Sequence, residues 1–221
     1  MKKAIVIFSG GLDSTTLLYK LKSEEYELEA LTFDYKQSHS KEIKIAEKIC
    51  KNLGIKHKII DISFLGENLL KSNLLVGQGE IPEGHYEDES MKLTVVPNRN
   101  MILLSIAAGY AMSKKIDILA YGAHSGDHTI YPDCRPAFVQ KMKELLKIAD
   151  WHKVELYVPF LNLSKGAIVK LGLKLRVDYK DTWTCYKGKT KACGKCGSCI
   201  ERLEAFKENG VEDPLQYNSD T

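Results

Sequence analysis

The sequence has no long apolar run and no strong excess of one charge. Its 221 residues carry 32 basic and 29 acidic side chains, which gives a formal net charge of only +3. That balance, without a basic stripe, argues against nucleic acid as a partner. No stretch approaches the ~18 apolar residues of a membrane span, and the run Ala4–Phe8 is too short for the ~7–15-residue core of a secretory signal. We therefore expect a cytoplasmic protein that uses neither a membrane nor a nucleic acid.

Internal repeats and low-complexity tracts are also missing. A chain of 221 residues can bury one sizeable core. We expect one α/β domain over residues 1–181, with a C-terminal segment, residues 182–221, packed on the same domain. Residues 73–96 form a long, weakly periodic stretch, which is typical of a lid, a subunit contact or a disordered segment.

Short apolar runs alternate with segments of helical period along most of the chain. This alternation predicts a doubly wound, mostly parallel sheet with helices on both faces. The predicted strands cover residues 3–8, 27–33, 58–62, 116–121 and 155–158. The predicted helices cover residues 13–22, 41–53, 98–113, 136–149, 164–171 and 198–208. A ligand of such a sheet lies outside the carboxyl ends of the strands, so the loops that follow strands should hold the site.

A glycine- and hydroxyl-rich loop directly follows the first predicted strand. It reads S-G-G-L-D-S-T over residues 9–15 and leads into a helix. Glycines let the backbone approach a ligand, hydroxyls can donate to phosphate oxygens, and the helix N-terminus adds unpaired N–H groups. The alternative is a helix-capping turn with Asp13 or Ser14 as the cap. The Walker pattern G-x-x-x-x-G-K-[ST] is missing, so we interpret this string as another kind of phosphate-binding loop.

Four of the six cysteines cluster near the C-terminus, and they are Cys185, Cys193, Cys196 and Cys199. Thiolates at such short spacing suit one tetrahedral Zn²⁺, and in a reducing compartment they indicate a metal site in preference to disulfides. A redox C-x-x-C pair is the alternative. Four protein ligands leave no open coordination position, so we expect a structural zinc.

Three further strings accompany the loop and the cysteines: V-P-N-R-N at 96–100, Y-P-D-C-R at 131–135 and T-W-T-C-Y at 182–186. The first loop resembles the pyrophosphate-binding loop of the N-type ATP pyrophosphatases. Together and in this order, the strings resemble the 7-cyano-7-deazaguanine synthases from about residue 3 to residue 206. Members of that family commonly read Y-G-Q-x-H where this chain reads Y-K-Q-S-H at 35–39, so Lys36 replaces a glycine.

The resemblance implies the fold of the adenine nucleotide alpha-hydrolases and a specific reaction. ATP would convert 7-carboxy-7-deazaguanine and ammonia to 7-cyano-7-deazaguanine, for queuosine or archaeosine biosynthesis. An adenylated carboxylate would react with ammonia to give an amide, which a second ATP would activate for loss of its oxygen. The resemblance further implies Mg²⁺ with the ATP and one structural Zn²⁺, and it is consistent with a homodimer. No glutaminase segment is visible, so we expect free ammonia as the nitrogen donor.

The resemblance also assigns residues to the nucleotide. The implied nucleotide-binding residues are Phe8, Ser9, Gly10, Gly11, Leu12, Asp13, Ser14, Thr15, Thr16, Leu17, Leu18 and Phe33. Asp13 matches the aspartate of the family's loop, and Lys165 matches a lysine that relatives place near the phosphates. We predict both as catalytic residues, with a solvated surface lysine as the alternative for Lys165.

Four residues are predicted to bind the deazaguanine substrate: Arg99, Asn100, Asp133 and Arg135. Asp133 could accept hydrogen bonds from a guanine-like ring. Arg99 or Arg135 could hold a carboxylate or phosphate with two parallel hydrogen bonds. The alternative is an ordinary Asp–Arg pair that shapes the loop. His124, His128 and Asp127 flank the same loop and could transfer a proton or contact Mg²⁺, although lone loop histidines and carboxylates are more often structural.

Two other functions compete with this one. A thiolase acting on tRNA would need a catalytic cysteine pair and a substantial RNA-binding surface, which the weak net charge disfavours. A zinc-ribbon interaction module would explain the four cysteines but would leave the phosphate loop and the Y-P-D-C-R string unexplained.

Overall fold

A computed structural model describes residues 2–85, 88–188 and 190–218 of the chain. Its sheet consists of strands β1 (Lys3–Ile7), β2 (Glu27–Asp34), β3 (Lys56–Asp61), β4 (Ile118–Ala120) and β5 (Glu155–Tyr157). The α-helices of the described residues are α1 (Leu12–Ser23), α2 (Lys41–Leu53), α3 (Arg99–Lys114), α4 (Pro136–Leu146), α5 (Lys165–Lys174) and α6 (Gly197–Glu208).

The sheet is parallel throughout, with the strand order β3-β2-β1-β4-β5. The chain runs outward from β1 to β3 and then returns to place β4 on the other side of β1. The strand order therefore reverses between β1 and β4, which opens a crevice at the carboxyl ends of these two strands. The predicted doubly wound parallel sheet is confirmed.

Both faces of the sheet are buried, as the apolar character of β1 requires. Ala4 and Val6 face a cluster formed with helices α1, α2, α5 and α6, whereas Ile5 faces a second cluster that includes α3 and α4. This alternation follows from the two-residue period of a strand. A strand covered on both faces is apolar throughout, which is why β1 resembles a signal-like run in the sequence.

The long stretch 73–96 is anchored to the core by several of its own side chains. Leu74, Leu75 and Met91 are at most 1% exposed and belong to the cluster on the α3 side. Residues 86 and 87 lie outside the described part of the chain. Two short helical turns, Leu65–Leu69 and Glu89–Thr94, lie on either side of residues 70–88, most of which belong to the weakly periodic stretch.

The C-terminal segment is fastened to the main domain by a buried arginine. Arg202 of α6 is 0% exposed. Its guanidinium donates to both carboxylate oxygens of Asp213, at 2.6 and 2.8 Å, and to the carbonyl of Tyr179 at 3.0 Å. A third nitrogen donates to Thr182 Oγ1 at 2.8 Å. Residues 189 and 219–221 of the predicted segment lie outside the described residues. None of the described helices is long and apolar enough to cross a membrane.

Candidate active site

A cavity of about 210 Å³ opens at the carboxyl ends of β1 and β4. The loop after β1 contributes Ser9 and Asp13, the end of β2 contributes Phe33, and the start of α3 contributes Arg99. Lys165, the first residue of α5, completes the wall near Asp13. The sheet topology thus brings together Asp13 and Lys165, which lie 152 residues apart in the sequence.

The loop after β1 leaves the N-terminus of α1 open to a ligand. Gly11 occupies the N-cap position, and no side chain caps the helix. Ser9 Oγ instead accepts from the Gly11 N–H at 3.2 Å, and Ser14 Oγ donates to the Gly11 carbonyl at 3.3 Å. The capping turn considered from the sequence is therefore absent, and the first N–H groups of α1 can bind an anion.

Only glycine fits at position 10. Gly10 has φ +80°, and a Cβ there would lie 3.0 Å from the Glu42 carbonyl and from the Ala46 N–H. The loop backbone consequently packs directly on the first turns of α2. This close approach brings α2, as well as α1, to the edge of the cavity.

The predicted nucleotide-binding residues divide into two sets. Phe8, Ser9, Gly11, Asp13, Ser14 and Phe33 line the cavity. Gly10 does not line the cavity, and the remaining five residues are buried in α1: Leu12, Thr15, Thr16, Leu17 and Leu18. Thr16 Oγ1, for example, lies 2.8 Å from the Tyr179 hydroxyl and fixes α1 to the residues after α5. The structure does not bring this second set to the cavity wall.

Lys165 lies at the centre of an acidic cluster. Its Nζ is 2.7 Å from Asp13 Oδ2, 2.9 Å from His124 Nε2 and 3.2 Å from Glu201 Oε2. The side chain is only 9% exposed, so Lys165 is not a surface lysine. Ser164 caps α5 by accepting from the Ala167 N–H at 3.1 Å, which fixes where Lys165 begins the helix.

Burial and the neighbouring charges shift the pKa values of the cluster in different directions. Burial opposes ionisation of both Asp13 and Lys165, but their mutual attraction prevails, so the pKa of Asp13 is lowered and that of Lys165 is raised. Burial dominates at Glu201 and raises its pKa. Asp13 Oδ1 is buried and has no hydrogen-bond partner among the described residues. A carboxylate oxygen of this kind is a suitable ligand for Mg²⁺.

His124 has both ring nitrogens engaged. Nδ1 accepts from the Gly126 N–H at 3.1 Å, while Nε2 contacts Lys165 and lies 3.6 Å from Asp127 Oδ2. Sequence patterns favoured a structural role for His124, and they contained no indication of Glu201. Because Glu201 belongs to α6, only the packing of α6 against α5 brings it to Lys165, and no local motif signals that contact.

At the opposite end of the cavity, Arg99 faces the open space without an ion-pair partner. No carboxylate of the described residues lies within 4.0 Å of its guanidinium, and its nearest polar contact is the Tyr35 hydroxyl, 3.4 Å from Nη1. Asn98 enters α3 in the left-handed conformation, φ +58°, which turns the next residue inward. Asn100 also lines the cavity and donates from Nδ2 to Cys134 Sγ at 3.1 Å.

The other two residues predicted to bind the deazaguanine lie outside the cavity wall. Asp133 Oδ2 accepts from the Asn100 N–H at 2.9 Å and so caps the start of α3. Arg135 is exposed and donates to the carbonyls of His128 and Thr129, at 2.7 and 3.2 Å. No Asp133–Arg135 ion pair forms, so each residue shapes its own part of the loop.

Lys36 keeps the backbone conformation that glycine would favour. Its φ is +65°. Gln37 stabilises this turn because its Oε1 accepts from the Tyr35 N–H at 3.0 Å and its Nε2 donates to the Phe33 carbonyl at 3.1 Å. The lysine side chain pairs with Glu67 at 3.1 Å.

The four clustered cysteines are arranged to hold one metal ion. Their sulfurs all lie within 4.8 Å of one another, and Cys193 Sγ is 3.9 Å from Cys199 Sγ. A tetrahedral ion bonded to sulfur at ~2.3 Å holds its ligands ~3.8 Å apart. Backbone N–H groups of Gly188 and Cys193 donate to Cys185 Sγ at 3.0 and 3.2 Å, as expected around thiolates. A four-iron cluster would need wider spacing, because each cysteine binds a different iron.

Comparisons with known proteins agree with this geometry. The family model described as queuosine biosynthesis protein QueC matches residues 3–210. A 7-cyano-7-deazaguanine synthase of Psychromonas ingrahamii is 55% identical over 216 residues, 98% of each chain. One from Methanoregula boonei is 56% identical over 215 residues, 97% of this chain and 99% of the relative.

Among solved structures, the U34-tRNA thiolase NcsA from Methanococcus maripaludis, solved with its [4Fe-4S] cluster, superposes with a TM-score of 0.53. It is 20% identical, and the match covers 92% of this chain and 64% of that one. At this identity the likeness concerns the fold alone.

Replacing Lys165 by methionine should leave buried carboxylates without their cation. We expect Lys165→Met to lower the free energy of unfolding by about 3 kcal/mol at pH 7, as for one-sided removal of a buried ion pair. In the wild type, the lowered pKa of Asp13 gives stability that is present above its ordinary pKa of 3.8 and is lost as the pH falls. Without Lys165, burial raises the pKa of Asp13, so protonation at lower pH stabilises the variant. The difference in the free energy of unfolding between wild type and variant should therefore be smaller at pH 5 than at pH 7, as measured by urea denaturation.

Lys180→Met serves as the matched control, because Lys180 pairs with Asp178 at the surface, where the two side chains are 64% and 50% exposed. Its loss should leave the free energy of unfolding nearly unchanged at either pH, because exposed ion pairs are screened by solvent. Two results would contradict this description of the cluster. Lys165→Met could lose as little unfolding free energy as Lys180→Met, or its loss could increase on acidification.

Proposed function

The chain belongs to the family of the queuosine biosynthesis protein QueC, and from that premise we propose that it makes 7-cyano-7-deazaguanine from 7-carboxy-7-deazaguanine, ammonia and ATP. The two relatives compared above carry the name of this synthase and match nearly the whole chain. The observation that carries the proposal is a single cavity with an anion-binding loop at one end and an unpaired arginine at the other.

The reaction requires a carboxylate oxygen to become a leaving group. Attack of the carboxylate on the α-phosphate of ATP gives an acyl adenylate and pyrophosphate. Ammonia then displaces AMP and forms the amide. A second adenylation, on the amide oxygen, allows that oxygen to depart and leaves the nitrile. The protein contributes positioning and electrostatic stabilisation of the phosphate charge, which suits a site built from backbone N–H groups and a buried lysine.

The loop end of the cavity is the proposed site of the triphosphate. The free N–H groups of α1, with Ser9 and Ser14, bind the phosphates that depart as pyrophosphate. Lys165 supplies a fixed positive charge, and Phe33 at the end of β2 borders the adenine. Asp13 Oδ1, which has no hydrogen-bond partner among the described residues, would hold Mg²⁺, and the ion would supply further neutralisation of the phosphate charge.

The arginine end of the cavity is the proposed site of the deazaguanine carboxylate. Arg99 can form a bidentate pair with a carboxylate because no carboxylate in the described part of the chain pairs with its guanidinium. Asn100 lies beside Arg99 in the wall and offers an amide to the substrate. Asp133 assists indirectly by holding the first turn of α3, which carries both residues.

A tRNA thiolase is a poorer fit to the cavity. Such an enzyme would need a cysteine pair at the site, and within the described residues Cys134 is the one cysteine in the wall. Burial raises the pKa of Cys134, so its thiol stays protonated and is a weak nucleophile.

The metal, the location and the assembly form the remainder of the proposal. The four-cysteine site holds structural Zn²⁺, and residues 182–221 form a zinc-binding segment packed on the α/β domain of residues 1–181. The protein works in the cytoplasm, where thiols stay reduced. A homodimer is the last part of the proposal, because the family resemblance is consistent with one. A monomer in sedimentation equilibrium would contradict the proposed homodimer.

The activity can be measured by mass spectrometry on purified protein with 7-carboxy-7-deazaguanine, ammonium, Mg²⁺ and ATP. We expect the nitrile to appear together with AMP, and neither the nitrile nor the amide to form without ATP or without ammonium. Release of ADP and phosphate in place of AMP and pyrophosphate would contradict the adenylation route. If metal-loaded, folded protein gives no product, the substrate assignment is wrong.

The two candidate arginines can be separated by substitution. Arg99→Gln should lower kcat/KM for the carboxylate substrate by about 10–100-fold, the range expected for a lost charge-assisted hydrogen bond. The amide substrate carries no negative charge, so the same variant should process it nearly normally. Arg135→Gln should change neither rate by more than a few-fold, and a larger effect at Arg135 than at Arg99 would reverse the assignment.

Metal analysis tests the zinc site. The purified protein should contain about one zinc per chain, and Cys199→Ala should lose it together with several kcal/mol of stability, because a structural zinc contributes roughly 10–16 kcal/mol in small zinc domains. Cys50→Ala is the matched control: Cys50 is equally buried, in α2, and lies outside the cluster. It should keep the full zinc content. Stoichiometric iron, or a stable metal-free protein, would contradict the proposal.

A further inference from the structure

A buried histidine–glutamate pair lies in the cavity wall and has no role in the functions assigned so far. His39 follows the turn stabilised by Gln37, and Glu42 lies in the first turn of α2. Their side chains are 3% and 12% exposed, and His39 Nε2 is 3.3 Å from Glu42 Oε2. Both residues line the cavity. Within the described residues, no other histidine contributes to the wall.

The pair leaves one nitrogen of His39 free. Glu42 Oε2 faces Nε2 at 3.3 Å, so the carboxylate favours the neutral tautomer that carries its proton on Nε2 and leaves Nδ1 unprotonated. Nδ1 is buried and has no hydrogen-bond partner among the described residues. A ring nitrogen in this state is a proton acceptor, and the glutamate stabilises the imidazolium that results. His124 differs, because both of its nitrogens are already engaged.

The position of the pair connects it to both halves of the site. The carbonyl of Glu42 packs against Gly10 of the phosphate loop. The ring of His39 lies 5.2 Å from the ring of Tyr186, and the Tyr35 hydroxyl lies 3.4 Å from Arg99 Nη1. These side chains and Glu42 all line the same cavity. The pair therefore shares its wall with the arginine proposed to hold the reacting carboxyl group.

We propose that His39, oriented by Glu42, is the general base of the step in which ammonia attacks the acyl adenylate. This inference rests on the proposed function. The nitrogen of ammonia forms a bond to the carbonyl carbon, and the bond from that carbon to the AMP oxygen breaks, with its electron pair leaving on AMP. The surplus proton on the new C–N nitrogen transfers to Nδ1 of His39. The products are the neutral amide, AMP and an imidazolium paired with Glu42.

The test separates adenylation from ammonia attack. Exchange of labelled pyrophosphate into ATP, with the carboxylate substrate present and ammonium absent, measures reversible adenylation alone. His39→Ala should keep this exchange within about 3-fold of wild type. Its formation of amide and nitrile with ammonium should fall by about 10²–10⁴-fold, the usual contribution of a general base. Glu42→Gln should show the same pattern with a loss of at least about 10-fold, because the tautomer is no longer fixed.

His152→Ala is the matched control, since His152 also pairs with a carboxylate, Asp117 at 3.4 Å, but lies outside the cavity. It should leave both rates unchanged. If His39→Ala does not fold, His39→Asn keeps a polar group at the site without a basic nitrogen, and it should give the same selective loss.

Two results would overturn the role of the pair. Equal loss of exchange and of amide formation would mean that His39 only shapes the cavity, and retention of both rates would mean that no base is needed there. Failure of the proposed function gives a different result, because wild-type protein would then show no carboxylate-dependent exchange at all.

Discussion

The contact between Lys165 and Asp13 is the interaction on which the rest of the site depends. It joins the first turn of α5 to the first turn of α1 and crosses the point where the strand order reverses. The buried ammonium of Lys165 is stable there because the carboxylates of Asp13 and Glu201 offset the cost of removing it from water. Asp13 and Glu201 together offer more negative charge than one lysine can balance. A cation bound together with the triphosphate would offset this excess.

The C-terminal segment is part of the cavity and not an appendage. Thr184, Tyr186 and Ser198 line the wall, and Glu201 reaches Lys165 from α6. The cysteine cluster includes residues on both sides of the turn that precedes α6, so an ion bound there would fix the position of the helix. A structural metal can in this way stabilise catalytic geometry without taking part in chemistry.

Sequence patterns predicted the sheet, the glycine turn after β1 and the four-cysteine cluster because each depends on local spacing: a strand period, a glycine turn, or ligands a few residues apart. They could not predict Glu201, whose contact with Lys165 exists only through the packing of α6 on α5. They also could not separate Leu17, which faces the core, from Asp13, which faces the cavity, because the nucleotide-binding segment implied by the family resemblance includes both. The Y-P-D-C-R string shows the same limit: Asp133 caps α3, and Arg135 binds loop carbonyls.

Transfer of oxygen from the substrate carboxylate to AMP is the most direct test of adenylation in this cavity. With both carboxylate oxygens labelled with ¹⁸O, the chemistry proposed here predicts two AMP molecules for each nitrile, each carrying one labelled oxygen in its phosphate. The pyrophosphate should carry none. Label in inorganic phosphate or pyrophosphate, or release of the label to water, would show that the α-phosphate is not the group attacked and would contradict the central claim.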